Sequence, residues 1–389
     1  MTRDQWDSHV INNKKLRIAI IAGTLGYGGA EKQLIYLARA LRNTGFEVRV
    51  YCLTSGEPYE AVLRKEGIVP IWFGQFKHPL SRVLKLVDLL REFKPHFLHS
   101  THFYTNLYAA LASWFVGGIA IGSLRSDLDY ELNANGFWGP WLLRLPHALL
   151  ANSHLARQRV IAYGLPSSKV LLLPNVIDLG AYDRQASQPF PYRLPEGRIW
   201  VVTVCRLIDA KRLDRFLRIL SRAREQMPEI GGVIAGEGPL RQFLEEQAKA
   251  MGLSPDGVKF LGHCENVPAL LSRMDVFALT SDHEGFPNGI LEAMAGALPV
   301  IATPAGDAAR IVRDGISGFI VSTEDESAFV ERLLHLARHP LLRRTMGGIG
   351  RQMVAQSYSH VSLGQTVEQL YYQIASALDR SVITSLIKP

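Results

Sequence analysis

The sequence has few cysteines, and they follow no ligand or disulfide pattern. Cys52, Cys205 and Cys264 are the three cysteines among 389 residues, they lie far apart, and none belongs to a CxxC motif. Disulfide frameworks and zinc sites need paired or closely spaced cysteines, so neither is expected to organise this chain. Such cysteine usage is typical of a reducing compartment, and we expect a cytoplasmic protein.

The sequence also lacks a long uninterrupted hydrophobic run. No apolar core long enough for a signal peptide precedes Lys14 and Lys15. The most apolar stretch, residues 103–124, contains Asn106 and a Gly-Gly pair, and it predicts a helix followed by a buried strand rather than a membrane span. Low-complexity tracts are absent, and a charged fraction of 20% argues against long disordered regions.

Positive charge is distributed unevenly along the chain. Residues 1–190 hold 21 Lys/Arg and 14 Asp/Glu, whereas residues 191–389 hold 22 of each, so the whole net charge of +7 lies in the first half. This half either carries a solvated basic surface or meets an anionic partner such as a membrane face, a phosphorylated acceptor or nucleic acid. No nucleic-acid-binding motif accompanies the charge, and we do not expect nucleic acid as a partner.

Short apolar segments alternate with amphipathic segments along most of the chain. The predicted strands of the first half are residues 16–23, 47–53, 69–74, 96–100, 119–123, 147–153 and 169–175. Those of the second half are residues 199–205, 231–236, 258–262, 275–281, 298–303 and 317–322. Amphipathic helical patterns such as residues 29–45 and 80–93 lie between them. This alternation predicts an α/β fold built on parallel sheets with helices on both faces.

A proline-rich break at residues 184–198 divides the alternation into two series. We therefore predict two Rossmann-like doubly wound domains that face an interdomain cleft, at residues 1–188 and 189–361. A C-terminal helix at about residues 362–389 is expected to pack back on the first domain. Ligands of such sheets bind beyond the carboxyl ends of the strands, where the motifs of this sequence fall.

The first motif is a glycine-rich loop at residues 22–34, between strand one and helix one. Its spacing is not G-x-G-x-x-G, and the second strand ends without the acidic residue that a dinucleotide ribose would need. The loop therefore favours contact with a phosphate or a sugar over dinucleotide binding, and a turn without a ligand stays an alternative.

Cations and glycines follow the strands of the second half. Arg206 leaves the end of a strand and Lys211 stands at a helix start, an arrangement that suits a diphosphate but is weak evidence alone. Gly236 and Gly262 end two further strands. The residues before Gly262 could offer backbone groups to a flat base.

An acidic pair, Glu284 and Glu292, stands eight positions apart around the turn 286-FPNG-289. A helix is predicted to start near Asn288, with Glu292 in its first turn and free backbone N–H groups between the two acids. The pair could serve acid/base chemistry, a metal, or the hydroxyl groups of a sugar. Without a histidine or a third aspartate nearby, it is a poor metal site.

Together the motifs resemble the retaining GT-B glycosyltransferases of family 4. Their order here is GGAEKQL, PNVID, CRLIDAKR, GEGP, KFLG, E-x7-E, ATPAGD and RDGISGF, over about residues 16–375. The resemblance implies a nucleotide-sugar donor on the second domain, with UDP the first expectation and GDP the second, and a glycan or lipid-linked acceptor on the first. It implies transfer with retained anomeric configuration and with no cofactor or metal.

The resemblance also implies roles for individual residues. Arg206 and Lys211 match the cations on the donor diphosphate, Glu284 the residue facing the sugar hydroxyls, and Glu292 the acceptor of the ribose hydroxyls. The family loop whose backbone contacts the sugar and the phosphate corresponds to Phe286, Pro287, Asn288, Gly289 and Ile290. The loop that closes over the donor matches Gly28 and Gly29.

Three positions depart from the family pattern. Arg125 replaces a frequent histidine, Val176 replaces a glycine, and Arg310 replaces a frequent glutamate. Arg125 cannot relay a proton, so we expect it to bind the donor or an anionic acceptor. Val176 is expected to need a different or strained backbone conformation.

Other residues have two readings each. His99 and His102 either line the acceptor side of the cleft or pack locally. Asp127, near Arg125, is a further candidate for the acceptor side. The spacing Asp127-x-Asp129 matches a metal-binding motif of another glycosyltransferase fold, and we interpret that match as coincidental. The aromatic segment within residues 133–145 either touches a lipid or packs as a helix.

The sequence therefore predicts a cytoplasmic hexosyltransferase-type enzyme that acts in glycan or glycolipid synthesis, with a peripheral location on the inner face of the membrane as an alternative. A GT-B epimerase or phosphorylase and a non-catalytic nucleotide-sugar-binding protein stay as alternatives.

Overall fold

The computed structural model describes residues 16–378, which form two compact units. Of these residues, the first unit takes those up to Asn152, Ala156–Leu173 and those from Val361 onward, and the second takes Ser153–Leu155 and Pro174–His360. Each unit is built on one parallel sheet with helices between successive strands. The predicted fold class of two parallel-sheet α/β domains is confirmed.

The first sheet has seven strands: β1 Arg17–Ala22, β2 Glu47–Cys52, β3 Ile71–Trp72, β4 Phe97–Ser100, β5 Ile119–Leu124, β6 Ala148–Ala151 and β7 Val170–Leu172. Their spatial order is β3-β2-β1-β4-β5-β6-β7, and neighbouring strands pair in parallel. The order reverses between β1 and β4, so the loops after these two strands leave the sheet side by side. In doubly wound sheets this switch point is where ligands bind.

The second sheet has six strands: β8 Ile199–Val204, β9 Ile230–Ala235, β10 Val258–Gly262, β11 Val276–Leu279, β12 Val300–Ala302 and β13 Gly318–Ile320. Their order is β10-β9-β8-β11-β12-β13, again with parallel pairing. The switch point lies between β8 and β11. It brings the loop that contains Arg206 and Lys211 beside the loop that contains Glu284.

The helices account for most of the remaining chain. In order they are α1 Gly29–Asn43, α2 Pro58–Lys65, α3 Pro79–Phe93, α4 Asn106–Val116, α5 Leu128–Asn135, α6 Gly139–Arg144, α7 His154–Ala162 and α8 Leu179–Ala186. They continue with α9 Leu213–Gln226, α10 Arg241–Ala250, α11 Val267–Leu271, α12 Asn288–Ala295, α13 Ala308–Ile311, α14 Glu326–Arg338, α15 Pro340–Ser357 and α16 Leu363–Ala377. Single 3-10 turns occur at Phe103–Thr105, Gly136–Trp138, Asp209–Lys211 and His360–Ser362.

The apolar stretch at residues 103–124 forms helix α4 followed by the fully buried strand β5, as predicted. Burial on both faces explains why its strand half reads as a continuous apolar run. None of the helices found between residues 16 and 378 combines the length and the hydrophobicity that crossing a bilayer requires.

The division between the units comes earlier than the expected boundary at residues 188 and 189. Residues 174–188 belong to the second unit because α8 buries Tyr182 there, in a cluster with Trp200 of β8 and Leu271 of α11.

Helix α16 belongs to the first unit. Its Tyr371 stacks on Phe97 with ring centroids 4.6 Å apart, and its hydroxyl lies 2.7 Å from Nδ1 of the buried His99. His99 therefore packs against α16 and joins no open site. Residues 379–389 of the expected C-terminal helix lie outside the described part of the chain.

Candidate active site

Lys211 and Glu284 meet at the switch point of the second sheet. Lys211 ends the 3-10 turn after β8, Glu284 lies in the loop after β11, and Nζ is 2.6 Å from Oε1. The hydroxyl of Ser281 donates to the same carboxylate oxygen at 2.8 Å. With side-chain exposures of 17% and 9%, the two form a largely buried ion pair.

The two loops are also joined through their backbones. The N–H of Asp282 donates to the carbonyl of Ala210 at 3.0 Å. The hydroxyl of Thr280 donates to the carbonyls of Lys211 and Arg212, each at 3.1 Å. Lys211 is thereby held between two neighbours that are both attached to the loop after β11.

Helix α12 begins at Asn288, as predicted. Glu292 is the fifth residue of the helix and so lies in its second turn, which corrects the expectation of the first turn. Burial raises the pKa of the Cys264 thiol, and the charge of Glu292 raises it further.

The turn before α12 is well anchored. Phe286 is buried and packs edge-on against Tyr358, with ring centroids 5.8 Å apart. The side-chain amide of Asn175 donates to Oδ1 of Asn288 at 2.8 Å. The N–H groups of Asn288 and Ile290 donate to the carbonyls of Phe286 and Pro287, so these two expected ligand donors already have partners within the turn.

The loop after β12 packs on the Glu284 segment. Gly306 has a φ of +59°, and a Cβ there would stand 2.7 Å from the carbonyl oxygen of Gly285 and 2.9 Å from Cβ of Glu284. Only glycine combines this conformation with such a close approach. The Glu284 loop is therefore supported on this side as well as by Lys211.

The other strand-end residues lie around the same edge. The N–H of Gly236 donates to the carbonyl of Gly262 at 2.7 Å, which joins the ends of β9 and β10. Arg206 follows β8 and is exposed, and its guanidinium makes no hydrogen bond or ion pair with any residue between 16 and 378. Of the two predicted diphosphate cations, Lys211 is thus paired and Arg206 open to solvent.

Two departures from the family pattern have simple structural outcomes. Arg310 lies exposed on helix α13. Val176 does not adopt a positive φ: within residues 16–378, the non-glycine residues that do so are Lys94, Arg212 and Ala297. The segment around Val176 therefore accepts a β-branched residue without left-handed strain.

In the first unit, His102 holds the glycine-rich loop after β1. Its Nδ1 accepts from the N–H of Gly23 at 3.1 Å, and its Nε2 lies 3.2 Å from Oε1 of Glu31. Because Nδ1 accepts, Nε2 carries the proton and donates to Glu31. Both ring nitrogens of His102 are thus engaged within the unit.

The rest of this loop leads into helix α1. Gly28 is the N-cap residue in extended conformation, and Gly29 is the first helical residue. Glu57 accepts from the hydroxyls of Thr24 and Thr54, at 2.7 and 2.5 Å, and from the N–H of Leu25. The first part of the loop, residues 23–25, is thus fixed by side chains from elsewhere in the unit.

Arg125 and Asp127 follow β5. Arg125 is half-buried, and burial lowers the pKa of its guanidinium to about 10 against the opposing influence of Glu31. Asp127 caps α5 by accepting from the N–H groups of Asp129 and Tyr130 at 3.0 and 3.1 Å, and it forms an ion pair with Arg159. In this structure Asp127 therefore stabilises the start of α5 and its contact with Arg159.

A metal arrangement at Asp127-x-Asp129 is not formed. Among residues 16–378 no group of three or more His, Cys, Asp or Glu side chains is placed to hold a metal ion.

Comparison with known proteins matches both halves of the chain. A family model described as Glycosyltransferase Family 4 matches residues 27–181, and one described as Glycosyl transferases group 1 matches residues 198–339. The putative glycosyltransferase EpsF of Bacillus subtilis is 33% identical over 311 residues, which are 75% of this chain and 80% of EpsF.

A second relative comes from Campylobacter jejuni, the GalNAc-α-(1→4)-GalNAc-α-(1→3)-diNAcBac-PP-undecaprenol α-1,4-N-acetyl-D-galactosaminyltransferase. It is 28% identical over 328 residues, covering 82% of this chain and 88% of the relative. Two further curated relatives match over less of their length, and the chain spans 41% and 27% of them.

Among solved structures, Anabaena HepE in complex with UDP and glucose superposes with a TM-score of 0.80 at 20% identity, covering 92% of this chain and 99% of HepE. This similarity shows the fold. The two family models and the identity to EpsF over most of its length establish that the chain belongs to glycosyltransferase family 4, the group 1 glycosyltransferases.

Proposed function

We propose that the second unit binds a nucleotide-sugar donor and that the enzyme transfers the sugar with retained anomeric configuration. The observation that carries this proposal is the Lys211–Glu284 pair at the switch point between β8 and β11. A cation for a diphosphate and a carboxylate for sugar hydroxyls stand in contact, beside the turn that begins helix α12. One ligand containing both a diphosphate and a sugar fits this sequence of groups.

In this proposal the donor spans the distance from Glu284 to Glu292. Glu284, in the loop after β11, accepts from the sugar hydroxyls, and Glu292, in the second turn of α12, accepts from the ribose hydroxyls. Lys211 and the exposed Arg206 bind the diphosphate, and Gly236 and Gly262 lie at the strand ends near the base. Gly28 and Gly29, in the first unit, are proposed to approach the donor when it is bound.

The transfer step is proposed to depend on charge rather than on a protein-bound metal. Breaking the bond between the sugar and the diphosphate leaves additional negative charge on the departing nucleotide. Lys211 and Arg206 stabilise that charge in the transition state. We propose UDP as the nucleotide and GDP as the second candidate, and the UDP in the HepE complex supports this order.

The acceptor is proposed to be a glycan or a lipid-linked glycan that binds to the first unit. The name of the Campylobacter jejuni relative describes such an undecaprenol-linked acceptor. Arg125 is a permanent cation at the end of β5, near Glu31, and is proposed to bind an anionic part of the acceptor. His102 contributes by orienting the loop after β1.

We further propose that the first unit rests on an anionic membrane surface through an aromatic segment. In this segment Phe137, Trp138 and Trp141 are 78%, 57% and 49% exposed. Arg144 ends α6, the helix that contains Trp141, and its guanidinium lies 5.1 Å from the centroid of the Tyr163 ring. Large exposed aromatic side chains beside a cation suit the headgroup region of a bilayer.

The donor proposal is tested by a thermal-shift screen with UDP, GDP, ADP and their sugars, followed by NMR of slow donor hydrolysis. A ligand that binds the folded state raises the melting temperature. Retention predicts that an α-linked donor first releases the α-anomer of the sugar. A first release of the β-anomer would contradict retention, and the absence of any shift would contradict nucleotide binding.

The membrane proposal is tested by co-sedimentation with vesicles of phosphatidylglycerol and phosphatidylcholine. The double variant Trp138→Ser/Trp141→Ser should lose most vesicle binding. The matched control is Trp114→Ser, because Trp114 is 62% exposed on α4, outside the aromatic segment. Unchanged sedimentation of the double variant would assign the segment to something other than lipid.

A further inference from the structure

A second group of charges lies beside the Lys211–Glu284 pair. Asp282 stands two residues before Glu284, and its Oδ2 accepts from Nη1 of Arg212 at 2.8 Å. Its Oδ1 lies 2.9 Å from Nη1 of Arg215, a buried residue that also donates to the carbonyl of Thr280 at 2.6 Å. Asp282 therefore connects the residue that follows Lys211 to the first turn of α9.

Arg212 adopts an unusual backbone conformation at this position. Its φ and ψ are 47° and 50°, in the left-handed region, and it is the N-cap residue of α9 without a side-chain capping bond. A residue with a Cβ is unfavourable there, and glycine is the usual choice. Its guanidinium gains Asp282 and also Asp214, which accepts from Nε at 3.0 Å and from Nη2 at 3.1 Å.

We propose that Arg212 and Asp282 form a clamp that fixes the Lys211 turn against the Glu284 loop, which makes Arg212 a positioning residue for the donor site. The inference rests on the proposed function, because it assigns a task at that same site. Arg212 itself touches no reacting atom in this proposal.

The clamp adds a side-chain contact to the bonds that already hold the backbone on both sides of Lys211. Before Lys211, the carbonyl of Ala210 is held by the N–H of Asp282. After Lys211, the side chain of Arg212 is held by the carboxylate of the same Asp282. Asp282 thus contacts both neighbours of Lys211, in addition to the bonds that Thr280 makes, and it contributes to the position of Nζ relative to Glu284.

The electrostatic state of the clamp agrees with this geometry. Burial tends to raise the pKa of Asp282, but its hydrogen bonds to Arg212 and Arg215 outweigh burial and lower the pKa. The same balance, with Arg212 and Arg218 as donors, holds the pKa of Asp214 at about 2. Both carboxylates are therefore ionised at neutral pH, so the clamp pairs opposite charges.

The test compares Arg212→Gly with a matched control, Glu326→Gln. Glycine adopts the left-handed backbone freely, so this variant removes the side chain and should keep the melting temperature close to that of the wild type. The control breaks the Arg218–Glu326 ion pair, whose side chains are 36% and 23% exposed, against 33% and 29% for Arg212 and Asp282. Calorimetry with UDP and GDP gives nucleotide affinity.

We expect Arg212→Gly to weaken binding of the nucleotide that the wild type prefers by about tenfold, because a displaced cation loses its geometry with the diphosphate. Glu326→Gln should bind like the wild type. Arg212→Lys keeps a cation next to Asp282 and should recover binding to within about threefold of the wild type. If Arg212→Gly does not fold, Arg212→Gln provides the same comparison.

The outcomes separate this inference from the proposed function. Suppose that the wild type binds UDP or GDP, that Lys211→Ala abolishes this binding, and that Arg212→Gly leaves it unchanged. The clamp is then refuted, while the proposed donor site is supported. Equal losses of nucleotide affinity in Arg212→Gly and Glu326→Gln would also refute the clamp, because removing an ion pair outside the clamp would then have the same effect. If the wild type binds neither nucleotide, the proposed function itself fails.

Discussion

Replacing Glu284 with glutamine separates the two partners of the Lys211–Glu284 ion pair with little change of shape. In the structure Nζ and Oε1 are 2.6 Å apart, and both side chains are mostly buried. A hydrogen bond between charged groups contributes about 1.5–3 kcal/mol, and leaving a partner buried without it costs a similar amount. Glu284→Gln should therefore lower the free energy of unfolding by about 2 kcal/mol.

A double-mutant cycle measures the pair itself. With Lys211→Met as the second single variant, the double variant should be about 1.5–3 kcal/mol more stable than the sum of the two single losses predicts. Urea denaturation of the four proteins gives the coupling energy. A coupling within about 0.5 kcal/mol of zero would mean that the two side chains do not depend on each other in solution.

The same variants should have opposite effects on the binding of UDP. The carboxylate of Glu284 repels the diphosphate of a bound UDP. Two like unit charges roughly 7 Å apart repel each other by about 2 kcal/mol at an effective dielectric constant of about 20, and salt reduces this repulsion further. Removing the charge of Glu284 should therefore tighten UDP about fivefold, while Lys211→Met should weaken it by at least tenfold. Sugar transfer should fall in both variants.

Calorimetric titration with UDP distinguishes this account from a purely structural ion pair. Weaker UDP binding in Glu284→Gln, to the same degree as in Lys211→Met, would refute the reasoning. In that case the carboxylate would support the fold of the loop instead of competing with the diphosphate for Lys211.

Two further predictions concern the first unit. A Cβ at position 23 would overlap the phenol ring of Tyr104, so Gly23→Ala should lose about 1–3 kcal/mol of unfolding free energy in urea, and combining it with Tyr104→Ala should remove that extra loss. Burial, assisted by the charge of Arg125, lowers the pKa of His99 to about 3, so the folded state keeps this ring neutral. The unfolded chain, in which the pKa is about 6.5, therefore binds more protons, and stability falls as the pH drops below about 6.5 by about 1.4 kcal/mol per unit. Denaturation at pH 7, 6 and 5 should show this slope as a difference between the wild type and His99→Gln, and equal slopes would contradict it.

The sequence predicts the strands of both sheets well because parallel strands are buried on both faces. Continuous apolar runs such as residues 199–205 then stand out from the amphipathic helices around them. The switch points follow from strand order, which the alternation alone does not reveal. The sequence therefore identifies Arg206, Lys211 and Glu284 as separate strand-end residues without predicting which of them touch.

What the sequence does not show are pairings over long separations. Lys211 and Glu284 are 73 positions apart, and His102 and Glu31 are 71 apart. The sequence also does not predict the left-handed conformation of Arg212, because glycine and asparagine are the residues that indicate such a conformation. The early domain division was missed for a different reason: α8 follows the last strand of the first sheet but buries Tyr182 in the second unit.

The central claim is that the second unit binds a nucleotide sugar between Lys211 and Glu292, and one titration tests it most directly. Calorimetry of UDP and GDP is performed on the wild type, Lys211→Ala and Glu292→Gln, with melting temperatures confirming that all three are folded. We expect the wild type to bind one of the two nucleotides and each variant to bind it at least tenfold more weakly. Wild-type affinity in both variants would contradict the account.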